Sequence, residues 1–200
     1  VRTAAPTLSV GAFSLLELLL VLALILILTV MGTSHLTTSA RKRGRAACGG
    51  NLQKIYLALG FYGNDNGAYP FLAEAQNSAG PLSLLVPKGT TDTQIFICPA
   101  SGDKPLPASE PFGKYRISYD YYMGRPTNSN PQDIILSDWQ VDTLPKKKGG
   151  LLFSADGQKP GNNHEADGGN LLTCGGAVVF STPKAVQDLL FPSSVRLLGP

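Results

Sequence analysis

The sequence predicts an α+β protein: a long N-terminal helix, membrane-spanning at first, whose second part packs on a small antiparallel β-sheet head. Three observations predict this. The run from Leu18 to Met31 carries no charged residue. Further on, Leu52, Ile55, Tyr56, Leu59 and Tyr62 recur at helical spacing and give one apolar face. Most of the 22 Gly and 15 Pro lie after residue 60, between short apolar runs of strand length. With 200 residues, 43% of them apolar, there is material for one anchor and one modest globular domain.

The first element begins at Gly11-Ala12-Phe13-Ser14-Leu15-Leu16-Glu17. Roughly 20 apolar residues span a bilayer. A carboxylate inside one costs about 2.5–3.5 kcal/mol on insertion scales, so Glu17 calls for a partner and a purpose. An ordinary signal peptide has a shorter apolar core and a small-x-small cleavage site behind it. Gly32-Thr33-Ser34 is a poor substitute for that site.

These residues resemble the N-terminal signal of type IV pilins and type II secretion pseudopilins. In that family a short leader ends in a small residue, a Phe follows, and a Glu stands fifth from that Phe. Phe13 and Glu17 keep the register. The family usually has Gly before the Phe, whereas here Ala12 stands there and Gly11 lies one step earlier. The resemblance implies cleavage by a prepilin peptidase after Ala12 and methylation of the new amino terminus on Phe13. Cleavage after Gly11 is the second choice, because it moves Glu17 to sixth. The ammonium freed at Phe13 needs a counter-ion once it is buried in a fibre, and Glu17 of a neighbouring subunit can supply it. Glu17 also favours the helix N-terminus through the macrodipole. The chain opens on Val1 rather than Met, which leaves the start of the leader open.

Arg41, Lys42, Arg43 and Arg45 follow the apolar run. They suit contact with anionic headgroups or a partner helix, and equally a solvated helix face. The net charge of +3 comes from this cluster, since from Ala46 onward 12 Lys/Arg face 13 Asp/Glu. A head so nearly neutral carries no basic face for nucleic acid. The helix is expected to continue to about Tyr62, with a kink or break at Gly49-Gly50, where each Gly costs about 1 kcal/mol. Asn64-Asp65-Asn66-Gly67 and Pro70 then stop it. This gives a leader over 1–12, a helix over 13–62 with its membrane span at 13–31, and a head over 63–200.

Strands are expected at Gln94–Cys98, Tyr115–Met123, Asp133–Trp139, Leu151–Ala155, Gly169–Cys174 and Gly176–Phe180. The last pair forms a hairpin with Gly175-Gly176 at its turn. Thr182-Pro183 reads as the start of a short helix bearing Val186, Leu189 and Leu190 on one face.

The segments Asn51-Leu52-Gln53-Lys54-Ile55, Asn64-Asp65-Asn66-Gly67 and Tyr69-Pro70 are similar to a branch of pilin-like proteins named for a C-terminal His, nine residues, then Asp-Gly. His164 begins that pattern, and Cys174-Gly175 ends it with Cys in place of Asp. The hairpin is thereby implied and the role of the Asp side chain is not. Three Cys in an exported domain permit one disulfide and one leftover thiol. Related proteins often carry Cys at both places, so the resemblance implies Cys48–Cys98 as the bridge. Asp156, Glu165 and Asp167 crowd a Gly-rich loop whose residues alone favour a solvated connection. Type II pseudopilins carry a calcium loop, which makes Ca²⁺ the one cofactor the resemblance implies.

Cys174 with His164 lacks the orienting context of a catalytic pair, and no enzyme is expected. The implied function is that of a structural subunit of a type IV pilus-like or pseudopilus fibre. Its partners would be the prepilin peptidase, other pilin-like subunits and assembly machinery in the membrane. The implied location is the inner membrane, single-pass, with the head outside the cytoplasm. The alternative is a stand-alone membrane-anchored ligand-binding module.

Overall fold

A computed structural model describes residues 14–108 and 112–200, except the side chains of residues 31–37. The chain divides into two compact units, Val1–Ala40 and Arg41–Pro200. A single helix, α1 (Leu15–Asn66), supplies elements of both.

In the first unit, Ser14 opens α1. Its Oγ accepts the N–H of Glu17 at 3.2 Å and its C=O accepts the N–H of Leu18 at 3.1 Å. Ser14-x-x-Glu17 is the sequence pattern of a capping box, and Glu17 adds a negative charge to the first turn. From Leu15 to Val30 the apolar side chains are exposed on every side of the helix.

The expected membrane span is corrected here. Among the described residues no helix is long and apolar enough to cross a membrane. The predominantly apolar run from Leu18 to Met31 is fourteen residues, about 21 Å of helix at 1.5 Å per residue. The hydrocarbon core is about 30 Å thick. The single-pass anchor over 13–31, and the inner-membrane location built on it, therefore have no support.

The second unit holds the rest of α1, a short α2 (Ala79–Leu82), two 3₁₀ turns (Ser83–Leu85, Thr93–Phe96) and five strands. The strands are β1 (Tyr119–Met123), β2 (Ile134–Asp138), β3 (Gly169–Thr173), β4 (Val178–Ser181) and β5 (Arg196–Leu198). They form one antiparallel sheet in the order β4-β3-β2-β1-β5. Cys48, Leu52, Ile55 and Leu59 make one buried stripe on α1, packed with Tyr119, Tyr121, Leu136 and Leu172 of the sheet. On the opposite face of the sheet Tyr122, Ile134, Leu171 and Leu197 pack with Leu152, Phe153 and Leu189 from the loops. The three central strands are thus buried on both faces.

The β2–β3 register shifts between Ile134 and Leu136. Ile134 packs on the loop side, whereas Ile135 and Leu136 both pack on the helix side. The irregularity sets the phase of the strand's end. Asp138 pairs with Tyr119 and Leu136 with Tyr121, so Asp138 lies on the helix face.

Several local expectations differ from the structure. Residues 94–98 do not form a strand. Asp92 Oδ1 accepts the N–H of Gln94 at 3.0 Å, which winds Thr93–Phe96 into a 3₁₀ turn. Leu151–Ala155 contributes one isolated bridge, Leu151 to Lys184. The helix expected after Thr182 is absent because the C=O of Pro183 accepts the N–H groups of Leu152 and Phe153. Consequently Val186 and Leu190 are exposed and only Leu189 is buried. The helix α1 passes Gly49-Gly50 without a break. At the β3–β4 turn Gly176 has φ +83°, and a Cβ there would lie 2.6 Å from the Tyr56 ring, so both turn and helix contact require glycine.

Candidate functional site

Four side chains from four separate segments converge at one end of the helix–sheet interface. Cys48 comes from α1, Cys98 from the segment after the second 3₁₀ turn, Asp138 from the end of β2, and His164 from the loop before β3. Their ligand atoms all lie within 4.8 Å of one another, and all four residues are buried. The Cys48 thiol donates to Asp138 Oδ1 at 3.0 Å. His164 Nε2 lies 3.0 Å from Asp138 Oδ2 and 3.8 Å from Cys98 Sγ.

A ring of amides and a phenol holds the four in place. Asn170 donates to Asp138 Oδ2 from its backbone N–H at 2.6 Å and from Nδ2 at 3.0 Å. Asn163 Nδ2 reaches Asp138 Oδ1 at 3.3 Å and Ser118 O at 2.7 Å. Tyr119 Oη lies 3.2 Å from Cys48 Sγ. Asn51, one turn along α1 from Cys48, donates to Ile97 O at 3.0 Å and so ties the Cys98 segment to the helix.

The loop bearing His164 is fixed from both sides. Glu165 adopts a left-handed conformation, φ 56°, and its carboxylate pairs with Arg41 at 2.6 Å. The Arg45 guanidinium lies 3.6 Å over the Phe180 ring of β4. Two members of the basic cluster are thereby committed to their own head. Gly168, φ +114°, leads the loop into β3, where a Cβ would collide with the C=O of Ser181.

Burial shapes the electrostatics. It pushes the Cys48 thiol well above its usual range, and neighbouring Cys98 and Asp138 add to this. A hydrogen bond from Cys48 outweighs the opposing burial of Cys98, and with His164 brings that thiol down to about 7. For His164 burial alone would lower the value, yet hydrogen bonds to Asp138 and Cys98 carry it up to about 10. His164 is therefore held in its protonated form at neutral pH, 3.0 Å from Asp138 Oδ2.

The structure sorts the expected site residues as follows. Cys48 and Cys98 bring their sulfurs within 4.8 Å of each other, but no bridge joins them and both stand as free thiols. His164 meets Cys98 and Asp138. Among the described residues Cys174 belongs to no such group, and its C=O accepts from Tyr56 Oη at 3.1 Å. Gly175 donates to Pro131 O at 2.9 Å in the hairpin turn. Asp156, Glu165 and Asp167 form no metal-binding group among the described residues. Asp156 instead accepts from Ser154 Oγ and the Gln158 N–H, each at 2.9 Å. Ala12 and Phe13 lie outside the described residues. Asp138 was not singled out by the sequence. The available signal for Asp138 was an acid closing the apolar run Ile134-Ile135-Leu136, on a strand expected to be buried.

Compared with protein-family models, curated proteins and solved structures, the chain matches none. The reading of function therefore rests on the residues and their geometry.

Proposed function

We propose that this chain is a structural subunit of a fibre, of the type IV pilin-like or pseudopilin kind, held together by the N-terminal halves of α1 from successive copies. One observation carries the reading. Leu15, Leu19, Leu22, Leu26 and Val30 are all more than half exposed, and so are Leu16, Leu20, Leu24 and Leu28 on the other sides. A helix that is apolar all round belongs inside a packed environment. Like helices in a bundle supply that cover on every side. Each such side chain gains about 1.5–3 kcal/mol when fully buried, so a few pairs of turns suffice for stable association.

Glu17, exposed in the first turn of α1, is the single charged residue of that surface. A free amine on Phe13 of the next copy, generated by a prepilin peptidase acting after Ala12, is the counter-ion that makes its burial favourable. The head contributes a folded body rather than a reaction. His164 presents the same atom, Nε2, to Asp138, Cys98 and Asn170. A proton relay needs two different ring nitrogens, one for the acid and one for the nucleophile.

Filaments sheared from cells producing the chain test this reading. They should contain it, and mass spectrometry should find an N-methylated Phe13 at its start. Cells with abundant chain, retaining residues 1–12 and shedding no filaments, would contradict it.

A further inference from the structure

We propose that Cys48, Cys98, Asp138 and His164 form a structural zinc site that pins α1 to the sheet and to the loop before β3. The proposal is independent of the fibre.

The donor set is two sulfurs, one imidazole nitrogen and one carboxylate oxygen. That mixture suits Zn²⁺ and is wrong for Ca²⁺ or Mg²⁺, which take oxygen ligands. Zinc bonds of about 2.0–2.3 Å place tetrahedral ligands about 3.3–3.8 Å apart. Two observed edges, 3.0 Å from Cys48 Sγ to Asp138 Oδ1 and 3.8 Å from Cys98 Sγ to His164 Nε2, bracket that range, and all four ligand atoms lie within 4.8 Å of one another. All four groups are buried, which fits a closed four-protein-ligand site with no position for water.

The surroundings are those a metal site needs. Asp138 is oriented by Asn170 and Asn163, and Cys48 by Tyr119. These donors offset the net negative charge of two thiolates and a carboxylate on one Zn²⁺. A cavity of about 50 Å³ lined by Arg41, Ala100, Asn163, His164, Glu165 and Asp167 gives an approach to the imidazole. His164 Nε2 faces Asp138, Cys98 and Asn170, as a ligand nitrogen would. Binding requires both sulfurs as thiolates and an unprotonated Nε2, so affinity rises with pH.

Two other states compete for the same sulfurs. One is a Cys48–Cys98 disulfide, and the other a pair of free thiols beside the His164–Asp138 ion pair. The full chain, reduced, stripped with chelator and desalted, is given Zn²⁺ or Co²⁺. The proposal expects one metal per chain and, with Co²⁺, thiolate charge-transfer absorption and the strong visible bands of a tetrahedral site, displaced by Zn²⁺. Zinc should shield Cys48 and Cys98, but not Cys174, from alkylation. Cys98→Ser and Asp138→Asn should lose the cobalt absorption and Cys174→Ser should keep it. Asn170→Ala should weaken binding about 10–100-fold in competition with a chelator. The unaltered chain decides the matter even where a variant fails to fold. No bound metal with both thiols readily alkylated would overturn the site. So would cobalt absorption that survives loss of Cys98, or a Cys48–Cys98 disulfide in the chain isolated from cells with no zinc bound.

Discussion

The two halves of α1 are both apolar, and they meet opposite fates. Between Cys48 and Leu59 the buried residues recur every three or four positions, while Leu57 and Phe61 on the outer side are more than half exposed. Between Leu15 and Val30 there is no outer side, because apolar residues occupy every position round the helix except Glu17 and Thr29. The difference teaches that hydrophobicity says a surface must be covered, while its angular width says by what. A narrow stripe is covered by the chain's own sheet. A full circumference requires several neighbours.

The largest effects are expected in the packed half of α1. Leu52 is fully buried against the sheet. Leu52→Ala should cost about 2–5 kcal/mol of head stability through lost burial and a residual cavity. Denaturant melting of the head checks this, and a change below about 0.5 kcal/mol would mean that the packed half does not belong to the head's core. Gly176→Ala sharpens the same contact from the hairpin side. The new Cβ meets the Tyr56 ring at a position of positive φ, so a loss of about 1–3 kcal/mol is expected.

A smaller effect concerns pH, which should act on the head's own buried acids. Asp120 lies on the far face of the sheet from Asp138, and its Oδ1 has no hydrogen-bond partner. Burial pushes its carboxyl well above the usual range, against the opposing hydrogen bond from the Gln140 N–H. The folded head therefore keeps a proton that the unfolded chain has released, and stability falls as pH rises from the ordinary carboxylate range through the raised value. Asp120→Asn should remove that loss. A gain of about 1 kcal/mol at neutral pH that vanishes in acid is expected in melting curves. A variant destabilised at neutral pH would show that Asp120 is satisfied as a charge.

Much of the head was readable because its signals are local. Gly175-Gly176 between two short apolar runs marks the β3–β4 hairpin, and the apolar stripe from Leu52 to Tyr62 marks the packed helix. Signals that depend on competition were not. Thr182-Pro183 has the chemistry of a helix start, but Thr182 Oγ1 donates to Lys184 O and Pro183 serves the backbone of Leu152 and Phe153. The site was legible only in parts. Cys48, Cys98 and His164 each stood out, yet nothing local joins them to Asp138. That juxtaposition depends on the β2 irregularity and on the pairing of Asp138 with Tyr119. Glu17 was read through its charge, and the capping pattern with Ser14 emerged from the hydrogen bond.

The least disruptive change to the head is expected in the exposed half of α1. There the combined Leu19→Ser, Leu22→Ser and Leu26→Ser substitutions should move the head's melting by no more than about 0.5 kcal/mol for each change. Their effect should fall on assembly instead. The most direct measurement is electron microscopy of the purified full chain after transfer to buffer without detergent. The account predicts filaments for the unaltered chain and dispersed, folded single copies for the triple variant. A monodisperse single copy of the unaltered chain, its apolar helix uncovered in water, would contradict it.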